Sequence, residues 1–149
     1  MLLKIIALAA LAVAIAVAVI IFIIMPQKSN PGAPNVKFTE FMPDRTDIKV
    51  GESSKIVFNV QNQENRSING SRVLIGIEPA GYQPYLSISN PSIALPVMQG
   101  KDARTGEIEA TITATSAPAK EATYTVKGVL MVDGQKTDER DFDLTIRQQ

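Results

Sequence analysis

The chain has 149 residues, with 15 basic and 15 acidic side chains, and contains neither cysteine nor histidine. These absences exclude disulfides, thiolate nucleophiles, imidazole bases, haem, blue copper, iron–sulfur clusters and nearly all structural zinc sites. The formal charge of zero leaves no basic field to gather nucleic acid.

Ile5 to Met25 is an unbroken apolar run of twenty-one residues without a charge, a polar side chain, glycine or proline. As a helix it would span roughly 31 Å, the hydrocarbon thickness of a bilayer. Signal-peptide cores are shorter, about 7 to 15 residues, and end at a small-residue cleavage site. Here the run ends in Ile20, Ile21, Phe22, Ile23, Ile24 and Met25, all large. An uncleaved signal-anchor over residues 1–25 is therefore expected, with the lipid bilayer as its partner. Lys4 and the α-amino group precede it, which by positive-inside counting places the N-terminus in the cytoplasm. Ala7, Ala10, Ala14 and Ala18 lie at roughly four-residue spacing and form a candidate packing face for another helix; an ordinary Ala-rich span is the plainer reading.

Pro26 ends that helix, and QKSNPGAPN (residues 27–35) reads as an extended linker of at most roughly 28 Å. Beyond Met25 stand 14 basic and 15 acidic residues, a near-neutral net of −1. From Val36 the pattern changes to period two, the mark of half-buried strands. Val36 to Phe41 is a first strand, broken by Pro43-Asp44, and Asp47 to Val50 is extended before Gly51. Ser53 to Gln61 alternates, with Ile56, Phe58 and Val60 on one face. A polar loop, 62–71, leads to the strand Arg72 to Glu78, with Val73, Ile75 and Ile77 inward and Leu74 outward. Pro79-Ala80-Gly81 turns the chain, and Tyr85 to Ser89 and Ile93 to Leu95 are short extended pieces. Glu107 to Ala114 sets Ile108, Ala110, Ile112 and Ala114 against Glu107, Glu109, Thr111 and Thr113. Ala122 to Val132 turns Tyr124, Val126, Gly128, Leu130 and Val132 one way. Asp133-Gly134 is the pair that a type I′ hairpin turn demands, and Thr137 to Arg147 alternates Phe142, Leu144 and Ile146 with Asp141, Asp143 and Thr145. About seven short strands joined by turns, with no helical period after Met25, predict an all-β domain over 36–149. Its expected form is an antiparallel immunoglobulin-like sandwich.

The landmarks are carried by Pro43 and Gly51, by IVFNVQN (Ile56 to Asn62) and by VLIGIEPAG (Val73 to Gly81). EATYTVKGVLMVDG (Glu121 to Gly134) and DLTI (Asp143 to Ile146) complete them. In this order they resemble a bacterial or archaeal immunoglobulin-like domain of the CARDB-like or alpha-galactosidase-associated kind, across about 110 residues. The resemblance implies a surface-displayed spacer or interaction module and supplies no catalytic residues. The layout is also similar to the sandwich-bearing accessory proteins of archaeal surface filaments, although their basic-small cleavage motif is missing here.

Candidate sites are few. Asn65-Arg66-Ser67 and Asn69-Gly70-Ser71 are two N-x-S sequons in one polar loop, making Asn65 and Asn69 candidate glycosylation sites; the plainer reading is an ordinary loop. Asp133, Asp138, Glu139, Asp141 and Asp143 gather near the last hairpin. Calcium needs six to eight converging oxygens from a loop of fixed spacing, and the interleaved Lys136 and Arg140 favour a solvated face. Tyr82 and Tyr85 flank Pro84 in an expected loop and are candidate partner contacts, or else cap the sandwich end. Val129 and Met131 are apolar on the outward phase of their strand and are candidate partner contacts too. Tyr124 fits a structural corner tyrosine. No nucleophile elbow, phosphate loop or metal-ligand spacing is present. The expectation is a non-catalytic, membrane-anchored surface binding or scaffolding protein without cofactor. Its alternative is an accessory subunit of a membrane enzyme, transport or filament complex.

Overall fold

The computed structural model describes residues 32–147. The expected anchor, its alanine face and the start of the linker lie outside the described residues. Among the described residues there is no helix, so none is long and apolar enough to cross a membrane.

Ten strands follow in order: β1 (Val36–Pro43), β2 (Asp47–Lys49), β3 (Ser53–Asn62), β4 (Ser71–Glu78), β5 (Leu86–Ile88), β6 (Ser92–Ala94), β7 (Ala103–Arg104), β8 (Ile108–Ala114), β9 (Ala122–Val132) and β10 (Gln135–Arg147). They form two sheets. The first runs β1-β3-β8-β5, with β7 paired on β3, and the second runs β2-β10-β9-β4-β6. The alternation that predicts the long strands also selects the core. Ile56, Phe58, Val60, Val73, Ile75, Ile77, Ala110, Ile112, Ala114, Val126, Leu130, Val132, Leu144 and Ile146 are all buried. Such burial is the main favourable term in a fold without cross-links.

Two details depart from a purely antiparallel layout of about seven strands. β2 pairs with β10 in parallel, through Asp47, Ile48 and Lys49 beside Thr145, Ile146 and Arg147. Ala103–Arg104 forms a two-residue strand on Gln61 and Asn62, in a charged stretch with no alternation to betray it. The hairpin at Asp133-Gly134 is as the sequence predicts: both residues take positive φ, 51° and 78°, and Val132 pairs directly with Gln135.

The sheets lock through aromatic rings on β1. Phe38 and Phe41 are three residues apart, so strict alternation would send one outward. The β1–β3 register slips between Phe38 and Glu40, and this bulge turns both rings inward. Phe41 then lies 5.4 Å from Phe38, 6.3 Å from Phe58 and 5.6 Å from Phe142 on β10, ring centre to ring centre. Beneath it sits Gly128 on β9, where an added Cβ would come within 2.4 Å of the Phe41 ring. β1 is also tied to the second sheet by a carboxylate, because the Phe38 N–H donates to Asp138 Oδ2 at 2.9 Å. The bulge, Pro43 and Asp138 blunt the free edge of β1, while β2, β5 and β6 are three-residue edges.

Gly128→Ala tests the lock. Strand propensity alone makes alanine the better residue by about 0.5–1 kcal/mol. The ring contact predicts a loss of about 1–3 kcal/mol in urea unfolding instead. Phe41→Leu in the same chain should recover part of that loss, and a stabilised Gly128→Ala would contradict the packing.

Candidate functional site

The outward side of the second sheet gathers the candidate contacts that lie on strands. Leu74 pairs with Val129 and Arg72 with Met131 across β4 and β9. On the other flank Glu139 pairs with Val129 and Lys136 with Met131. Leu74 is 37% exposed, while Val129 and Met131 are half-buried by their neighbours. The three form a small apolar patch with a charged border. Lys127 reaches Glu78 at 3.0 Å and Glu139 at 3.8 Å, and Lys136 also meets Glu139. The hydrogen bond to Glu78 raises the Lys127 pKa, opposed by desolvation and helped by Glu78, Glu139 and Asp141. Lys127 is therefore a firmly charged member of the border.

The sequon loop is organised by Asn62, a residue that belongs to neither sequon. Asn62 is wholly buried, in phase with Ile56, Phe58 and Val60 on β3. Its Nδ2 donates to the carbonyls of Arg66 at 2.8 Å and Gln99 at 2.9 Å, and Oδ1 accepts from the Glu64 N–H at 3.0 Å. Ile68 and Met98 add a reciprocal backbone pair, and the Lys101 N–H bonds the Glu64 carbonyl. Gly100 fits against this loop so closely that a Cβ would lie 2.6 Å from the Asn65 carbonyl carbon. A polar residue at an apolar phase position was the available signal for Asn62.

The two sequons differ in presentation. Asn65, Arg66 and Ser67 are all exposed, with the Ser67 hydroxyl on Gln99 Oε1 at 2.9 Å. Asn69 is exposed and its Oδ1 accepts from the Gly70 N–H at 2.8 Å. Its third residue, Ser71, is buried at the start of β4, and the Ser71 hydroxyl has no hydrogen-bond partner among the described residues.

Tyr82 and Tyr85 are half-buried against the core at one end of the sandwich. The N–H groups of Tyr85 and Leu86 both donate to the Tyr82 carbonyl, at 2.7 and 2.9 Å, and the Thr115 N–H bonds the Tyr85 carbonyl at 2.8 Å. The Ser116 hydroxyl donates to the Pro84 carbonyl. Tyr85 packs on buried Tyr124, ring centres 6.4 Å apart. Burial, and then Tyr85, push the Tyr124 pKa up.

The acidic residues near the last hairpin disperse. Asp138 bonds the Phe38 N–H, Glu139 meets Lys127 and Lys136, and Asp143 accepts from the Thr125 hydroxyl at 2.9 Å. Asp133 sits in the hairpin turn itself. Among the described residues no three such ligands converge. A shallow open depression is lined by Thr46, Asp47, Glu121, Phe142, Asp143, Thr145 and Arg147, with Arg147 paired to Asp47 at 2.8 Å.

No protein-family model matches the chain, and no curated protein matches it. Among solved structures it is similar to the CARDB domain of PF1109 from Pyrococcus furiosus, at 10% identity and a TM-score of 0.51, covering 78% of this chain and 97% of that one. An alkylpurine DNA glycosylase from Pseudomonas fluorescens matches at 12% identity and a TM-score of 0.49; the match covers 77% of this chain and only 31% of that one. The periplasmic chaperone SfaE matches at 18% identity and a TM-score of 0.46, covering 74% of this chain and 57% of that one. The first of these likenesses shows an immunoglobulin-like sandwich fold.

Two outcomes follow. Asn62→Ala strands the Arg66 and Gln99 carbonyls and the Glu64 N–H, so a loss of roughly 2–4 kcal/mol is expected in urea unfolding. Asn62→Asp, which retains only the acceptor, should not rescue it. In pH titration, Tyr124 and Lys127 both hold their protons more tightly folded than unfolded. Their contribution is complete below the unfolded values, about 10 and 10.4, and is lost as pH rises above them. Tyr124→Phe should flatten part of that alkaline decline.

Proposed function

We propose that the chain is a non-catalytic, membrane-anchored protein that displays its immunoglobulin-like sandwich outside the cytoplasm as a binding or scaffolding module. The observation that supports this reading is a sandwich beginning at Val36, behind the apolar run Ile5–Met25 and a short Pro/Gly linker. Nearly every buried or paired polar group described above is engaged in holding the fold, as at Asn62 and Asp138. What the domain offers other molecules is surface: the Leu74–Val129–Met131 patch and the loops. The spacing of Ala7, Ala10, Ala14 and Ala18 favours a second reading, an accessory subunit whose helix packs against a partner helix.

Asn65 is the better candidate for glycosylation in the folded domain, because its whole sequon is exposed whereas Ser71 of the Asn69 sequon is buried. A mass excess in native material that disappears in Asn65→Gln would support this, and an unmodified native mass would reject it.

Anchoring and sidedness are tested together. The full chain should stay in the membrane pellet through alkaline carbonate washing. A single cysteine at exposed Lys55, in a chain with no other cysteine, should react with a membrane-impermeant maleimide on intact cells. Release by carbonate, or labelling only after lysis, would overturn the reading. Co-purification of a defined complex that is lost on Ala10→Leu/Ala14→Leu would favour the subunit reading.

A further inference from the structure

We propose that the outer face of the second sheet is a self-association surface that receives a second copy of this chain, turned end for end. The inference rests on the reading of the domain as an interaction module, and it names that module's partner. The register places four outward rows across β4, β9 and β10. They are Arg72–Met131–Lys136, then Leu74–Val129–Glu139, then Gly76–Lys127–Asp141, and finally Glu78–Thr125–Asp143. Their formal side-chain charges are +2, −1, 0 and −2 in that order. The face is thus basic at one end and acidic at the other, and between them Leu74 and Val129 lie beside Lys127, Glu139 and Asp141.

Such a surface complements itself under one kind of two-fold axis. An axis lying across the strands reverses the row order, so Arg72 faces the other copy's Glu78 and Lys136 faces the other copy's Asp143. Leu74 and Val129 then meet Gly76 and the methylene stem of Lys127. Glu139, which faces Asp141 in this arrangement, is held by Lys127 and Lys136 of its own copy. An axis running along the strands would oppose Arg72 to Lys136 and is disfavoured by like charge. An anionic lipid surface would ask for a uniformly basic face, which this is not.

Strand and row spacings give a contact of roughly 400 Å² per copy. That is about half of the roughly 800 Å² of a standard interface, so the association is weak and is best trapped covalently. The cysteine-free chain makes that direct. Cells expressing the full chain with Val129→Cys are treated with a short, membrane-permeant bis-maleimide and read on a denaturing gel. A dimer-sized product is expected. Lys55→Cys, on the outer side of the first sheet, should give roughly tenfold less, and so should Val129→Cys combined with Arg72→Glu, which places like charge against Glu78. Adding Glu78→Arg to the latter chain should restore the product. Four results would overturn the proposal: no dimer from Val129→Cys, equal dimer from Lys55→Cys, indifference to Arg72→Glu, or an adduct of another mass. Whole cells are used without fractionation, so the outcome is independent of whether the chain is retained by membranes.

Discussion

The structure depends on one contact, the Phe41 ring seated over Gly128. A sandwich without a disulfide relies chiefly on packing to hold its sheets in register. Here the packing is concentrated where β1, at the edge of the first sheet, meets β9 and β10 of the second. The bulge after Phe38 brings Phe41 into the core, and Phe58 and Phe142 close on it from opposite sheets. Gly128 supplies the space. A side chain there would collide with the ring, so the glycine is required by its neighbour and not by its own backbone angles.

Polar groups repeat that logic. Asn62 is a buried amide that replaces missing backbone pairing, joining the end of β3 to two loops far apart in sequence. Asp138 occupies an inward position on β10 and bonds the Phe38 N–H, so an edge of one sheet is closed by a side chain from the other. Buried or half-buried polar atoms with partners give rigidity and a unique arrangement. The partly exposed ion pairs around Lys127 contribute less to stability and more to the shape of the surface field. The apolar patch of Leu74, Val129 and Met131 is left at the centre of that field.

Much of the fold was legible in the residues, because period-two alternation simultaneously names strands and core. Ile56-Phe58-Val60, Val73-Ile75-Ile77 and Leu144-Ile146 are buried as their phase requires, and the Asp133-Gly134 turn follows from its chemistry. What failed to show was non-periodic. Thr39 marks a slip that no propensity announces, Ala103–Arg104 is too short to alternate, and the parallel β2–β10 pairing brings residue 47 beside residue 145. The candidate surface was half visible. Val129 and Met131 stood out by phase, but their grouping with Leu74 needed the register. Tyr82 and Tyr85 read as loop residues that either meet a partner or cap the sandwich end, and the structure packs both against the core. Asn62 reads as the start of a polar loop, although it continues the buried phase of β3.

Together these features describe a rigid sandwich, its sheets and loops tied through Phe41, Asn62 and Asp138. The rigidity is the central claim, and native-state hydrogen exchange on the full chain tests it most directly. The account predicts that amides of β1, β9 and β10, together with Ile68, Met98 and Lys101 of the loops tied to Asn62, exchange only through one global opening with a shared denaturant dependence. Independent fast opening of β1, or of the 62–68 and 98–101 loops while β9 and β10 stay protected, would contradict it.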